Sequence, residues 1–301
     1  NSKMADEEIE VEECSDEEKL QIAQHFLLNA PPGQFNDVLN DVKKLLPPGL
    51  ISDPMLAGIC RAYNNKNNRV VSDGADVKVV LNEAAEIDPT HVVDQKSGQI
   101  VHVNHVDLTV GADGVRPTES TLPPGMDELR VAINTEVSDY IKSQYQAQTA
   151  SCTVFAQDND GEHQVYSVVI SAEKLNVRNF WSGQWISTWT VTVMEQGTTV
   201  EGRIKVRAHY FEDGNVQLQT AKNTEPIKLS AETAGDELAK AVRKYILDQE
   251  FALQSGLEEM YTNMTEETFK AMRRVMPIHR NKVSWNLNEV KLTTNLTSKV
   301  K

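Results

Sequence analysis

His209, Glu212 and Asp213 lie close together in the chain, and an imidazole beside two carboxylates could hold a metal ion or move a proton. Their setting argues against that chemistry. Glu212-Asp213-Gly214-Asn215 stands between two β-rich runs and has the composition of a hairpin turn. Asp158-Asn159-Asp160-Gly161 begins like a calcium loop, but its glycine comes too early and no acid closes it, so it too reads as a turn. His25 follows the apolar Ile22 on a helical stripe and is expected to pack. There is no P-loop, no G-x-G-x-x-G and no G-x-S-x-G. Cys14, Cys60 and Cys152 lack metal-ligand spacing and suit a reducing compartment. No catalytic residue, metal or cofactor is expected.

Two other groupings point to non-covalent chemistry. Trp181, Trp185 and Trp189 fall within nine residues of a chain that has four tryptophans. Trp185 and Trp189 are four apart and would share one face of a strand. Such a row serves as core, as a subunit interface, or as a stacking platform for single-stranded nucleic acid. An acidic body without interleaved Arg or Lys removes nucleic acid and leaves the first two. The second grouping is basic. Residues 268–301 carry Lys270, Arg273, Arg274, Arg280, Lys282, Lys291, Lys299 and Lys301 against Glu289 alone, a net +7 on a chain that totals −14. The rest therefore carries −21, and a basic tail on an acidic body suits an acidic partner surface. Lys270 and Arg274 are i,i+4 neighbours on one helical face, and Val283, Leu287 and Val290 recur beyond them at helical spacing.

The elements that must position these groups follow from periodicity. Residues 4–18 are acidic and poor in apolar side chains, so they are expected to be a disordered arm. Ser15, three positions before Glu18, opens a first helix as a capping box. Pro31-Pro32-Gly33 breaks it, a second helix runs from Phe35 to Leu46, and a third covers about 53–63. These make an N-terminal helical stalk over 19–63. Short β-branched runs with Asp, Asn and Gly between them predict a small central β-rich region over 64–125, with a loop at 111–125. Residues 126–264 combine a helix at about 126–145, an antiparallel meander from Cys152 to Leu218 and a long helix at about 230–263. On the strand through 204–208, Lys205 and Arg207 alternate with Ile204, Val206 and Ala208, which predicts one wet face. A helix of that length needs a sheet wider than the strands of this chain alone. The fold class is α+β. With no secretory signal and no run near the ~20 apolar residues of a membrane span, the cytoplasm is the expected compartment.

Ala208-His209-Tyr210-Phe211-Glu212-Asp213-Gly214-Asn215-Val216 and Phe269-Lys270-Ala271-Met272-Arg273-Arg274-Val275-Met276-Pro277 resemble two hallmark stretches of the α subunit of F-actin capping protein. The tryptophan segment and the run from Ser15 through Gly33 are similar to the same family. Met272, Met276 and Ala208 depart from its commoner residues by volume-conserving swaps. The resemblance implies half of a pseudo-twofold heterodimer with a β subunit, the two sharing one antiparallel sheet. It implies capping of the actin filament barbed end, blocking subunit addition and loss without calcium. It makes residues 265–301 an amphipathic actin-binding tentacle. There Lys270, Arg273, Arg274, Arg280 and Lys282 supply charge, and Val283, Leu287 and Val290 an apolar stripe. The same Lys270, Arg274 and Arg280 would answer to anionic phospholipids, and capping-regulator proteins are further expected partners. A heterodimeric scaffold subunit, or a phosphoinositide-responsive module, with weak capping is the competing reading.

Overall fold

The computed structural model describes residues 14–72, 78–111, 116–117, 122–146, 149–159 and 163–263. The chain divides into two compact units, residues 1–248 and residues 249–301. The expected tentacle, with all eight of its named contact residues, lies outside the described residues, as does the acidic arm through residue 13.

The first unit opens with three helices, α1 (Asp16–Leu28), α2 (Phe35–Leu45) and α3 (Asp53–Lys66). The capping box forms as the sequence requires: the Ser15 hydroxyl accepts from the Glu18 amide, and the Glu18 carboxylate accepts from Ser15 N–H at 2.8 Å. Leu27, Phe35, Leu39, Val42, Leu56, Ile59, Cys60 and Tyr63 form one buried cluster between the helices. Burial pushes the Cys60 thiol up to about 11, so it is an inert core residue. His25 does not pack; it is exposed in the last turn of α1, beside the Asn29 side chain that donates to its carbonyl at 2.8 Å.

β1 (Val70–Ser72) and β2 (Lys78–Val80) form a two-stranded ribbon. β3 (Glu86–Asp88), β4 (His91–Asp94), β5 (Gln99–Asn104) and β6 (Thr109–Val110) follow as an antiparallel sheet in that order. β7 (Arg116–Pro117), inside the stretch expected to be loop, pairs with β5.

α4 (Pro124–Gln144) leads into the main sheet of β8 (Ala150–Asn159), β9 (His163–Asn176), β10 (Trp181–Met194), β11 (Gly197–Tyr210), β12 (Val216–Asn223) and β13 (Ile227–Leu229). All neighbours are antiparallel in the order β12-β11-β10-β9-β8, with β13 on β11 beyond the end of β12. α4 buries Met126, Ile133, Val137 and Tyr140 and packs mainly on β8. α5 (Gly235–Asn263) is 29 residues, ~44 Å at 1.5 Å per residue. Within the first unit it buries Leu238, Val242 and Ile246, and its Tyr245 ring meets Trp189 edge-on at 5.8 Å. In the second unit the described residues are helical, with Phe251, Met260 and Tyr261 exposed. No described helix is long and apolar enough to cross a membrane.

Candidate functional site

β10 changes its buried side half-way along. Ser182, Gln184 and Ile186 are buried on one face, then Ser187, Trp189 and Val191 are buried on the other. Because paired residues of an antiparallel sheet share a face, the neighbouring β9 and β11 follow the switch. One face is covered by the helical stalk over the first half of β10. The opposite face carries helix-covered core around Trp189 over the second half. The remaining half of that second face is left open.

The open half-face is read off the register. Trp181 lies opposite Tyr210, which lies opposite Val216; Gly183, Ala208 and Leu218 form the next row; Trp185, Val206 and Thr220 form the third. Val216 is 64% exposed, Leu218 45% and Tyr210 41%, while Trp181 and Trp185 are half-buried. The Trp185 indole N–H is buried without a hydrogen-bond partner. Lys174 holds its ammonium 5.9 Å from the Trp181 ring centroid. This surface combines aromatic and aliphatic side chains with little charge, the composition of an interface core. The tryptophan run therefore serves two ends, with Trp189 in the core and Trp181 and Trp185 on the open face. β12 adds a second open feature: among the described residues no strand pairs with its outer side.

The covered half is held by polar bonds. The Arg207 guanidinium donates to Asn67 Oδ1 at 2.8 Å and to the Ala30 carbonyl at 3.1 Å. Gln184 donates to the Asn67 carbonyl at 3.1 Å, and Arg69 pairs with Glu173 at 2.8 Å. His209 is buried between Gln34, whose Nε2 lies 2.8 Å from its Nδ1, and Asn215, 3.0 Å from its Nε2. Its ring nitrogens are used in fastening the stalk to the sheet and the hairpin to its strand. The expectation of a wet face carrying Lys205 and Arg207 holds for Lys205 alone; Arg207 is drawn in by the loops that end α1 and α3. Partial burial, helped by Arg203, Lys66 and Arg207, lowers the Lys205 pKa.

Sequence reading missed this joint. Its one signal was the run Asn64-Asn65-Lys66-Asn67-Asn68, whose four asparagines are all buried. Asn65 donates to Glu86 at 2.7 Å, and Glu86 also takes a bidentate pair from Arg61. The Arg61 hydrogen bonds hold the Glu86 carboxyl below its usual range.

The F-actin capping protein alpha subunit family model matches residues 23–295. The chain is 31% identical over 279 residues to a protein of Caenorhabditis elegans named F-actin-capping protein subunit alpha, covering 91% of this chain and 95% of that one. It is 32% identical over 276 residues to the protein of the same name from Dictyostelium discoideum, covering 90% and 95%. Among solved structures, the homodimeric actin capping protein alpha subunit from Plasmodium berghei superposes with a TM-score of 0.67 at 20% identity, covering 80% of this chain and 92% of that one. With nearly its whole length matched, end to end and in order, the chain belongs to the F-actin capping protein alpha subunit family.

Proposed function

We propose that the chain caps the barbed end of actin filaments as the α subunit of an α/β heterodimer, blocking addition and loss of subunits without calcium. Family membership supports the capping role. The open half-face of Trp181, Trp185, Tyr210, Val216 and Leu218, flanked by the free side of β12, is the observation that carries the partnership. It is a surface that a β subunit would cover. In this reading residues 265–301 are the actin-binding tentacle. Lys270, Arg273, Arg274, Arg280 and Lys282 face acidic actin surface, and Val283, Leu287 and Val290 fill an apolar groove. Exposed ion pairs are worth only about 0.2–1 kcal/mol each, so lasting capping requires desolvated arginines plus the apolar stripe. Anionic phospholipids would compete for Lys270, Arg274 and Arg280, as polybasic segments gain about 1 kcal/mol per residue at such membranes. The role is that of a non-enzymatic cytoplasmic protein of the actin cytoskeleton.

Seeded elongation from barbed ends, with this chain co-expressed with a capping-protein β subunit, tests the reading. Arrest of growth far below the actin monomer concentration supports it. A stable heterodimer that leaves elongation unchanged removes the capping role and favours a scaffold.

A further inference from the structure

We infer that the acidic arm of this chain folds back along α1 and sets its carboxylates on a row of cations at the stalk joint, where it competes with any acidic ligand of that surface. Arm and row both belong to the first unit, and their contact is independent of the partnership proposed above.

The row follows from the register of β11. Arg203, Lys205 and Arg207 share one face of the sheet at intervals of about 6.6 Å, twice the rise per residue. Their neighbours on that face are uncharged: Thr188, Ile186 and Gln184 on β10, and Asn223, Ala221 and Gln219 on β12. The stalk adds a fourth cation. Lys66 donates to the Leu28 carbonyl and to Asn29 Oδ1, both at 3.2 Å, and Arg207 reaches the Ala30 carbonyl of the same loop at 3.1 Å. These acceptors are neutral, so they orient the cations without cancelling their charge. Among the described residues none of the four forms an ion pair. Glu173 is taken by Arg69 at 2.8 Å, and Glu201 stands at the far end of the row, beyond Arg203. On a chain of net −14, four cations gathered in this way favour an anion beside them.

The arm supplies it. Asp6, Glu7, Glu8, Glu10, Glu12 and Glu13 put six carboxylates into eight residues shortly before the Ser15 cap. From Ser15 to Leu28, α1 rises about 20 Å, which extended chain covers in about six residues. Ile9 therefore draws level with the loop after α1, and Asp6, Glu7 and Glu8 reach past it onto the row. Asp6 and Glu8 repeat at the two-residue period of Arg203 and Lys205. The path along α1 is apolar where the arm is apolar. Ile22 and Phe26, four apart and so on one helical face, are 52% and 57% exposed. Ile9 and Val11, which alternate with the acids, fall beside them. Tethering gives the arm an effective concentration in the millimolar range, which an acidic protein from solution has to exceed.

Zero-length carbodiimide coupling of the full chain tests this, since it joins an ammonium only to a carboxylate in contact with it. Peptide mapping should find Lys205 or Lys66 linked to Asp6, Glu7 or Glu8, with the exposed Lys44–Asp41 pair at 2.9 Å as positive control. The link should fall about fivefold when salt is raised to about 0.5 M, and as far in Arg203→Glu with unchanged circular dichroism. No link while the control couples, or a link indifferent to salt, overturns the inference. Should Arg203→Glu misfold, the arm itself is neutralised by Asp6→Asn, Glu7→Gln and Glu8→Gln, which leaves the described fold untouched. That variant should raise the acylation rate of Lys205 about threefold, and an unchanged rate overturns the inference. A synthetic polyglutamate peptide separates the arm from an outside ligand. It should bind the neutralised variant more tightly than the wild type, and equal binding to both would mean that the row stands open to solution and that the arm does not occupy it.

Discussion

Gly202 lies directly opposite Trp189 across β10 and β11, and a Cβ at Gly202 would come within 2.6 Å of the indole Cζ3. The ring lies over the glycine, and the space of a missing methyl is what lets Trp189 reach Tyr245 with only 1% of its surface exposed. Gly202→Ala must therefore push the indole aside. Overpacking of this kind costs about 1–3 kcal/mol, so the denaturant midpoint should fall with a change in tryptophan emission. An unchanged midpoint would show that the ring relocates freely.

Arg69 and Glu173 are both mostly buried, at 18% and 17% side-chain exposure. Removing one partner of such a pair leaves the other desolvated, at a cost of roughly 2–4 kcal/mol. Arg69→Met should destabilise more than the double variant Arg69→Met, Glu173→Met. Equal losses in urea titrations would mean that the pair carries no special weight.

The joint at Glu86 should be acid-sensitive. His105, buried beside the asparagine run and accepting from Asn64 Nδ2 through its backbone carbonyl at 2.9 Å, has its pKa lowered mainly by burial, so the unfolded chain binds the proton first and stability falls as pH drops below 6.5. The lowered Glu86 pKa adds stability that is present above 4.5 and lost as pH falls through its folded value. Both act in the same direction. His105→Asn should flatten the melting temperature between pH 7 and 5 while leaving the fall below 4.5 in place. A variant with the wild-type slope in the upper window would exclude His105 as its source.

The half-buried indole of Trp185 is the natural anchor for a partner, since aromatic residues at an interface centre carry much of the binding energy. Trp185→Ala should weaken binding to the β subunit by about 2 kcal/mol, near 30-fold. Titration calorimetry with the folded variant gives the number, and retained affinity would move the interface elsewhere.

Lys270→Ala, Arg274→Ala and Arg280→Ala combined should reduce capping and its salt dependence while sparing assembly with the β subunit. Unaltered capping in the elongation assay would remove these three from the actin contact.

Much of the architecture was legible because local signals were strong. Ser15 with Glu18, and Pro31-Pro32-Gly33, mark helix ends through backbone chemistry that needs no tertiary context. The meander was visible for the same reason, since its turns and β-branched runs are local. What could not be read was which side of each strand is buried. Ile186 and Ser187 are consecutive buried residues on opposite faces, and no local propensity encodes a change of cover. Arg207 illustrates the difficulty: its alternation with Val206 and Ala208 reads as solvent-facing, yet the loops that end α1 and α3 descend on it from far along the chain. The asparagine run was visible as composition, but its buried role depends on Glu86, Arg207 and Gln184 arriving from three other elements.

The change of cover along β10 has a consequence for how the strand tolerates substitution. Before Ile186 the even positions are shut in and the odd ones open; after Ser187 the parity is reversed. A scan of polar replacements along this one strand should therefore give an alternating pattern of damage that slips by one position between 186 and 187, like two rulers laid end to end half a mark out of step. An insertion of a single residue upstream of that point would swap the two sides of the first half while leaving the second intact.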